Sequence, residues 1–221
     1  FTFVGSNDLD LGTGAVTLGS NLAVTTTASY LVVGGAISDG GNNRGLTKAG
    51  NGTLQLDGAN SFTGPIMINA GVLRISHPTA LGTVAGGVSQ SGTSALEIDG
   101  FLGDVTVGAE PLTINGGGIT NFGALRNIAG DNTYSGTVTM AGQSRINSDS
   151  DTLTLNNPTA VSSSGLTLVV GGLGNITISG AVALGAGGVA KDGTGTLTLS
   201  GNNTYVGNTS VAAGTLNMTG S

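Results

Sequence analysis

The sequence predicts an all-β chain wound as a right-handed parallel β-helix (β-solenoid) of about nine coils. Three features carry that expectation: apolar residues alternating with the period of a strand, turn formers recurring between short runs, and a long internal repeat.

The repeat is the strongest of the three. Residues 46–75 align without a gap to 189–218, with twelve identities in thirty positions at an offset of 143. A degenerate copy near 123–146 lies between them, where Gly130–Gly136 matches Gly201–Gly207 and Gly58–Gly64 at spacings near 72 residues. Within each copy the pattern has period 2, which puts one set of side chains on one face of a strand: Leu54 and Leu56, Ile66 and Ile68, Leu73 and Ile75. The last copy repeats it with Leu197, Leu199, Val211, Leu216 and Met218. Gly58-Ala59-Asn60, Ala70-Gly71, Gly201-Asn202-Asn203 and Ala213-Gly214 supply turns that accept positive φ. Short strands at this spacing fit a sandwich as well as a solenoid, and the long repeat decides for the solenoid. At a little over 20 residues per coil, the 72-residue unit is expected to be three coils, and the rod roughly 45 Å long.

Composition agrees. With 42 glycines and 4 % aromatics an ordinary close-packed core is hard to build, yet 38 % apolar and 8 % charged residues exclude a disordered chain. Four prolines and irregular Gly spacing exclude collagen. The net charge is −6, and the six basic residues, Arg44, Lys48, Arg74, Arg126, Arg145 and Lys191, form no stripe along the sequence, which argues against nucleic acid and anionic membrane as partners. Without cysteine there are no disulfides and no thiolate metal sites, a pattern compatible with export. No apolar run reaches the ~18 residues of a membrane-spanning helix. The chain begins at Phe1, so it is read as part of a longer polypeptide whose signal and anchor lie elsewhere.

The two long copies read K-x-G-x-G-T-L-x-L at 48–56 and 191–199, N-x-[FY]-x-G at 60–64 and 203–207, and A-G-x-L at 70–73 and 213–216. This resembles the autotransporter-associated β-strand repeat, also called the passenger-associated transport repeat. The resemblance implies a β-helical passenger displayed at, or released from, the outer surface of a Gram-negative-type bacterium, with no catalytic residues of its own.

No catalytic, cofactor-binding or metal residue is assigned, and no cofactor is expected. His77, the only histidine, lies in a Ser-His-Pro loop with no serine elbow to act on and reads as a turn residue. Asp8/Asp10, Glu97/Asp99 and Asp149/Asp151 have the spacing of same-face carboxylates suited to calcium or acid/base work, but exposed positions are expected for them, with Asp149→Asn nearly silent. Gly171 to Ile178 imitates a calcium nonapeptide but has Ile176 where the ligating Asp belongs, and it lacks what a dinucleotide or phosphate loop requires. Phe62, Tyr134 and Tyr205 recur at equivalent positions and are expected to pack under a turn rather than present rings to a glycan.

The sequence therefore points to a non-enzymatic structural or display solenoid, a rigid spacer or fibre, formed by residues 1–221 as a single segment of a longer repeat protein. The alternatives are an adhesin that binds glycan or host protein along one face and, less favoured, a polysaccharide-cleaving β-helix enzyme. Neighbouring repeats or further copies stacked end to end are the expected partners, because Phe1 to Val4 and Leu216 to Met218 run in strand-like alternation without a polar cap.

Overall fold

The structure, a computed structural model, describes residues 1–220. It is all-β: short strands are joined by turns, and the one helical element among the described residues is a 3-10 turn at Ile119–Asn121. Every strand pairing is parallel and links one coil to the next, which makes the molecule a β-solenoid.

The register can be followed along one column, Leu9, Leu31, Leu54, Leu73, Leu96, Leu125, Ile146, Val170, Lys191 and Val211. Nine coil-to-coil steps at ~4.8 Å give a rod of about 43 Å. Each coil has three sides. The first is represented by Ile66–Ile68, the second by Val72–Ile75 and the third by Asn132–Tyr134. Side chains of successive coils stack on their own kind, so the core is a set of aliphatic ladders, with Leu54, Leu73, Leu96 and Leu125 all buried. This is how a chain with few aromatics acquires a dry interior: each residue is covered by the equivalent residues above and below. Phe62 and Tyr134 are buried and Tyr205 is half-buried against the core, the packing role expected for all three.

The 72-residue unit does not keep to whole coils. From Asn60 to Asn132 it spans three coils, but the shorter coils that follow place Asn203 one side further round. As a result Lys48 lies in the column Val24–Lys48–Ile68, whereas its equivalent Lys191 lies in the leucine column. The motif is therefore a local two-coil unit that is found on two different sides of the prism.

Why the motif has its residues is visible at Lys48. The side chain points inward and is fully buried, and its Nζ donates to the carbonyls of Ala49 (2.8 Å), Gly50 (2.6 Å) and, one coil on, Ala70 (3.1 Å). Gly71 has φ 68°, and a Cβ there would collide with the carbonyls of Gly50 and Gly52 and with the ammonium. K-x-G-x-G followed by A-G is thus an ammonium held in a cage of turn carbonyls. Burial pushes Lys48 down to about 8. Lys191 repeats the arrangement with the Gly193 carbonyl.

Candidate functional site

The side that carries the leucine column has, on its outer surface, the intervening residues Gln55, Arg74, Glu97, Arg126 and Asn147 in register. Alternation within each strand puts them opposite the leucines. Gln55 bonds Asp57 separately, and from Arg74 to Asn147 the column is part of one hydrogen-bonded chain. Arg74 donates from Nε and Nη2 to Glu97 Oε2 at 3.0 and 2.7 Å, and Arg126 Nη1 donates to Glu97 Oε1 at 3.0 Å. Arg126 also pairs with Asp149, which accepts from Asn147 Nδ2 at 2.9 Å. Arg145 donates to Asn147 Oδ1 and, through both terminal nitrogens, to Asp192 at 2.6 and 2.8 Å. A Cβ on Gly171 would strike the Arg145–Asp192 pair, so this glycine clears the path of the network.

This corrects the expectation that the acidic pairs are alike and exposed. Asp8 and Asp10 are exposed and accept backbone N–H groups of Tyr30 and Gly12. Glu97, in contrast, is only 3 % exposed and sits between two guanidiniums, and Asp99 approaches Arg74 at 3.4 Å. Asp149 belongs to the network, whereas Asp151 turns away at φ 55° and accepts the N–H of Gly130. That bond holds the Asp151 carboxyl below its usual range. Three of the arginines and four of the carboxylates dispersed along the sequence are gathered by the coil spacing onto one face.

Loops raise apolar walls beside the ladder. The longest coil, from Leu96 to Leu125, carries two of them: Phe101-Leu102, and the 3-10 turn leading into Phe122. A third follows the strand Leu168–Gly172 and presents Leu173. All four side chains are exposed. The Phe122 ring lies 5.1 Å from the Arg126 guanidinium, and Tyr30 sits similarly under Arg74 at 5.2 Å. Two grooves result. One of about 450 Å³ lies between Phe122 and Leu173 over Arg126, Arg145, Asn147, Asp149 and Asp192. The other, about 560 Å³, lies under Phe101 and Leu102 and is lined by Gln55, Asp57, Ser76, Asp99 and Asp104.

His77 sits in a turn, its Nδ1 accepting the N–H of Thr79 at 3.2 Å. Among the described residues no three His, Cys, Asp or Glu side chains converge as metal ligands, and no helix is long and apolar enough to cross a membrane. Two carboxyls had no distinguishing signal in the sequence. Asp39 is buried and accepts N–H groups of Arg44, Gly41 and Thr63 together with the Thr63 hydroxyl, which hold it far below the carboxylate range. Glu110 is 3 % exposed with Oε1 unpartnered, and burial pushes it up to about 7.

The family model of the passenger-associated transport repeat matches residues 46–75 and 189–218, the two segments that build the lysine cages. Two segments of the chain thus match the passenger-associated transport repeat. The autotransporter adhesin BmaC of Brucella suis biovar 1 (strain 1330) is 33 % identical over 179 residues, covering 79 % of this chain. The passenger-repeat chain spans only 5 % of that relative's length. No solved structure gives a significant match to it.

Proposed function

We propose that this repeat solenoid is a segment of an extracellular autotransporter-type passenger, displayed at the surface of a Gram-negative-type cell, and that its ladder face is adhesive. The observation that carries the reading is the clustering of Phe101, Leu102, Phe122 and Leu173 on loops around one polar ladder, away from the two ends of the rod. Exposed apolar side chains gathered at a rigid polar surface mark interaction sites. The repeat family and the adhesin relative are consistent with this role. The rod also acts as a spacer, since parallel ladders and ion pairs tie each coil to the next.

The reading is non-enzymatic. Each carboxylate of the arginine network is paired, Asp57 bonds Gln55 and Ser76, and among the described residues the carboxyl pushed towards neutrality, Glu110, lies outside both grooves. A glycosidase-like acid would need to reach substrate. We further take residues 1–221 as one segment of a longer repeat array, with 123–146 as a third, degenerate copy. Its Asn132 accepts the N–H of Val105 just as Asn60 accepts that of Ile37.

Beads coated with the 221-residue chain test the adhesive role. They are expected to bind epithelial cells, and a Phe101→Ser/Leu173→Ser double variant that melts like wild type is expected to lose the binding. Equal adhesion by the variant would overturn the assignment of this face.

A further inference from the structure

Resting on the adhesive reading, we propose that the groove between Phe122 and Leu173 is a binding site for neutral glycan, recognised through hydroxyl groups and the apolar face of a sugar ring. Phe122 is 53 % and Leu173 77 % exposed, on opposite walls of an open groove. The Arg126 guanidinium fixes the Phe122 ring from 5.1 Å, leaving the remaining ring surface to the groove. An aromatic face carries negative π density, and the slightly positive C–H groups of a pyranose are its complement.

The polar side of the groove decides the sign of the ligand. Arg145 and Arg126 side chains are only 11 % and 23 % exposed, whereas Asp149 and Asp192 are 29 % and 44 % exposed. The two carboxylates keep the larger share of their own surfaces open and balance the two guanidiniums in charge, so the groove offers no net positive charge to an anion. Each carboxylate has about four acceptor positions, and Arg145 occupies two at Asp192, so the rest are open to donors. Sugar hydroxyls are such donors. Sialylated or uronic glycans would bring negative charge to these carboxylates on a chain of net charge −6. The network holds its groups in place before binding, which lowers the ordering cost of association.

The second groove repeats this chemistry, with Asp57, Asp99 and Gln55 beside Phe101 and Leu102. Gln55 and Asn147 belong to one column, four strands apart, which is about 19 Å along the rod. An oligosaccharide of several residues laid along the axis engages both grooves, and a monosaccharide only one.

The test titrates the purified chain with cellotetraose, lacto-N-tetraose and a sialylated lacto-N-tetraose by calorimetry and NMR. At least one neutral probe is expected to saturate, with the sialylated probe weaker than its neutral parent. Phe122→Ala and Leu173→Glu are each expected to weaken binding about tenfold, the loss of one well-formed ring contact, while Val84→Ser, exposed elsewhere, leaves it unchanged. Leu173 makes no core contact, so its variant keeps the test valid if Phe122→Ala unfolds. Failure of every neutral probe to saturate, or indifference to both groove variants, overturns the site. Bead adhesion separates this from the underlying reading. Adhesion abolished by periodate treatment of the cells and surviving protease supports a glycan. Adhesion abolished by protease and surviving periodate makes the ligand a protein and refutes the glycan while leaving the adhesive role intact. Saturable glycan binding without cell adhesion does the reverse.

Discussion

Replacing Glu110 by glutamine should make the chain more stable at pH 8 and remove most of its pH response between pH 4.5 and 8. The Glu110 side chain is buried with Oε1 unpartnered, and the neighbouring Tyr134 hydroxyl donates to the Glu110 backbone carbonyl, so it does nothing for the carboxylate. Burial raises the folded-state value from 4.5 to about 7, opposed by the N–H of Gly87. A carboxyl whose folded value is raised binds more protons in the native than in the unfolded state between those two values. Its contribution is fully present below about pH 4.5 and is lost as pH rises through about 7. At ~1.4 kcal/mol per pH unit the whole loss amounts to at most about 3 kcal/mol, or roughly 6–12 °C in Tm for a chain of this size. Asp39, Asp151 and Asp192 are all held low and act below this window. Urea and thermal unfolding of wild type and Glu110→Gln at pH 4.5, 6 and 8 measure the effect. The wild type should lose stability across the series and the variant should stay nearly level. A wild-type profile that is flat or rises from pH 4.5 to 8, or a variant less stable than wild type at pH 8, would refute the reasoning.

Four further outcomes are expected. Lys48→Met keeps the volume but orphans three carbonyls, so urea melts should show a loss of about 3 kcal/mol or more, with a smaller loss for Lys191→Met, whose ammonium has one such bond. Gly71→Ala should cost several kcal/mol in the same assay, while Gly12→Ala, with similar φ and open space around it, should cost about 1 kcal/mol. Glu97→Ala should cost about 3 kcal/mol because it takes the buried carboxylate from between Arg74 and Arg126, leaving each with only its outer partner, whereas Asp10→Asn should shift Tm by no more than about 2 °C. In light scattering the isolated chain should grow into linear species with concentration. Asn203 Nδ2 is buried without a partner, where its equivalent Asn60 bonds the Ala80 carbonyl of the next coil, and Leu216 is only partly covered. A strictly monomeric chain at high concentration would contradict that geometry.

The fold was legible because a solenoid's register is written locally. Leu54–Leu56 and Leu73–Ile75 alternate with period 2, the turn glycines recur, and each coil need only match its neighbours, so short-range pattern and long-range structure coincide. The buried roles of Phe62 and Tyr134, and the turn role of His77, followed from the same local signals. What the pattern could not supply is what depends on coil length. Arg74, Glu97, Arg126 and Asp149 are more than twenty residues apart from one to the next, and only the unequal coils bring them onto one outward face. Their charges were visible in the sequence, but their pairing was not, because one residue more or less in a turn would move a strand's outward side chains inward. The same dependence rotated the last repeat by one side of the prism, and it set Glu110 inside the protein with Oε1 unpartnered. Alternation and turn chemistry determined that this chain is a stack of coils; the length of each coil decided which side chains meet across it.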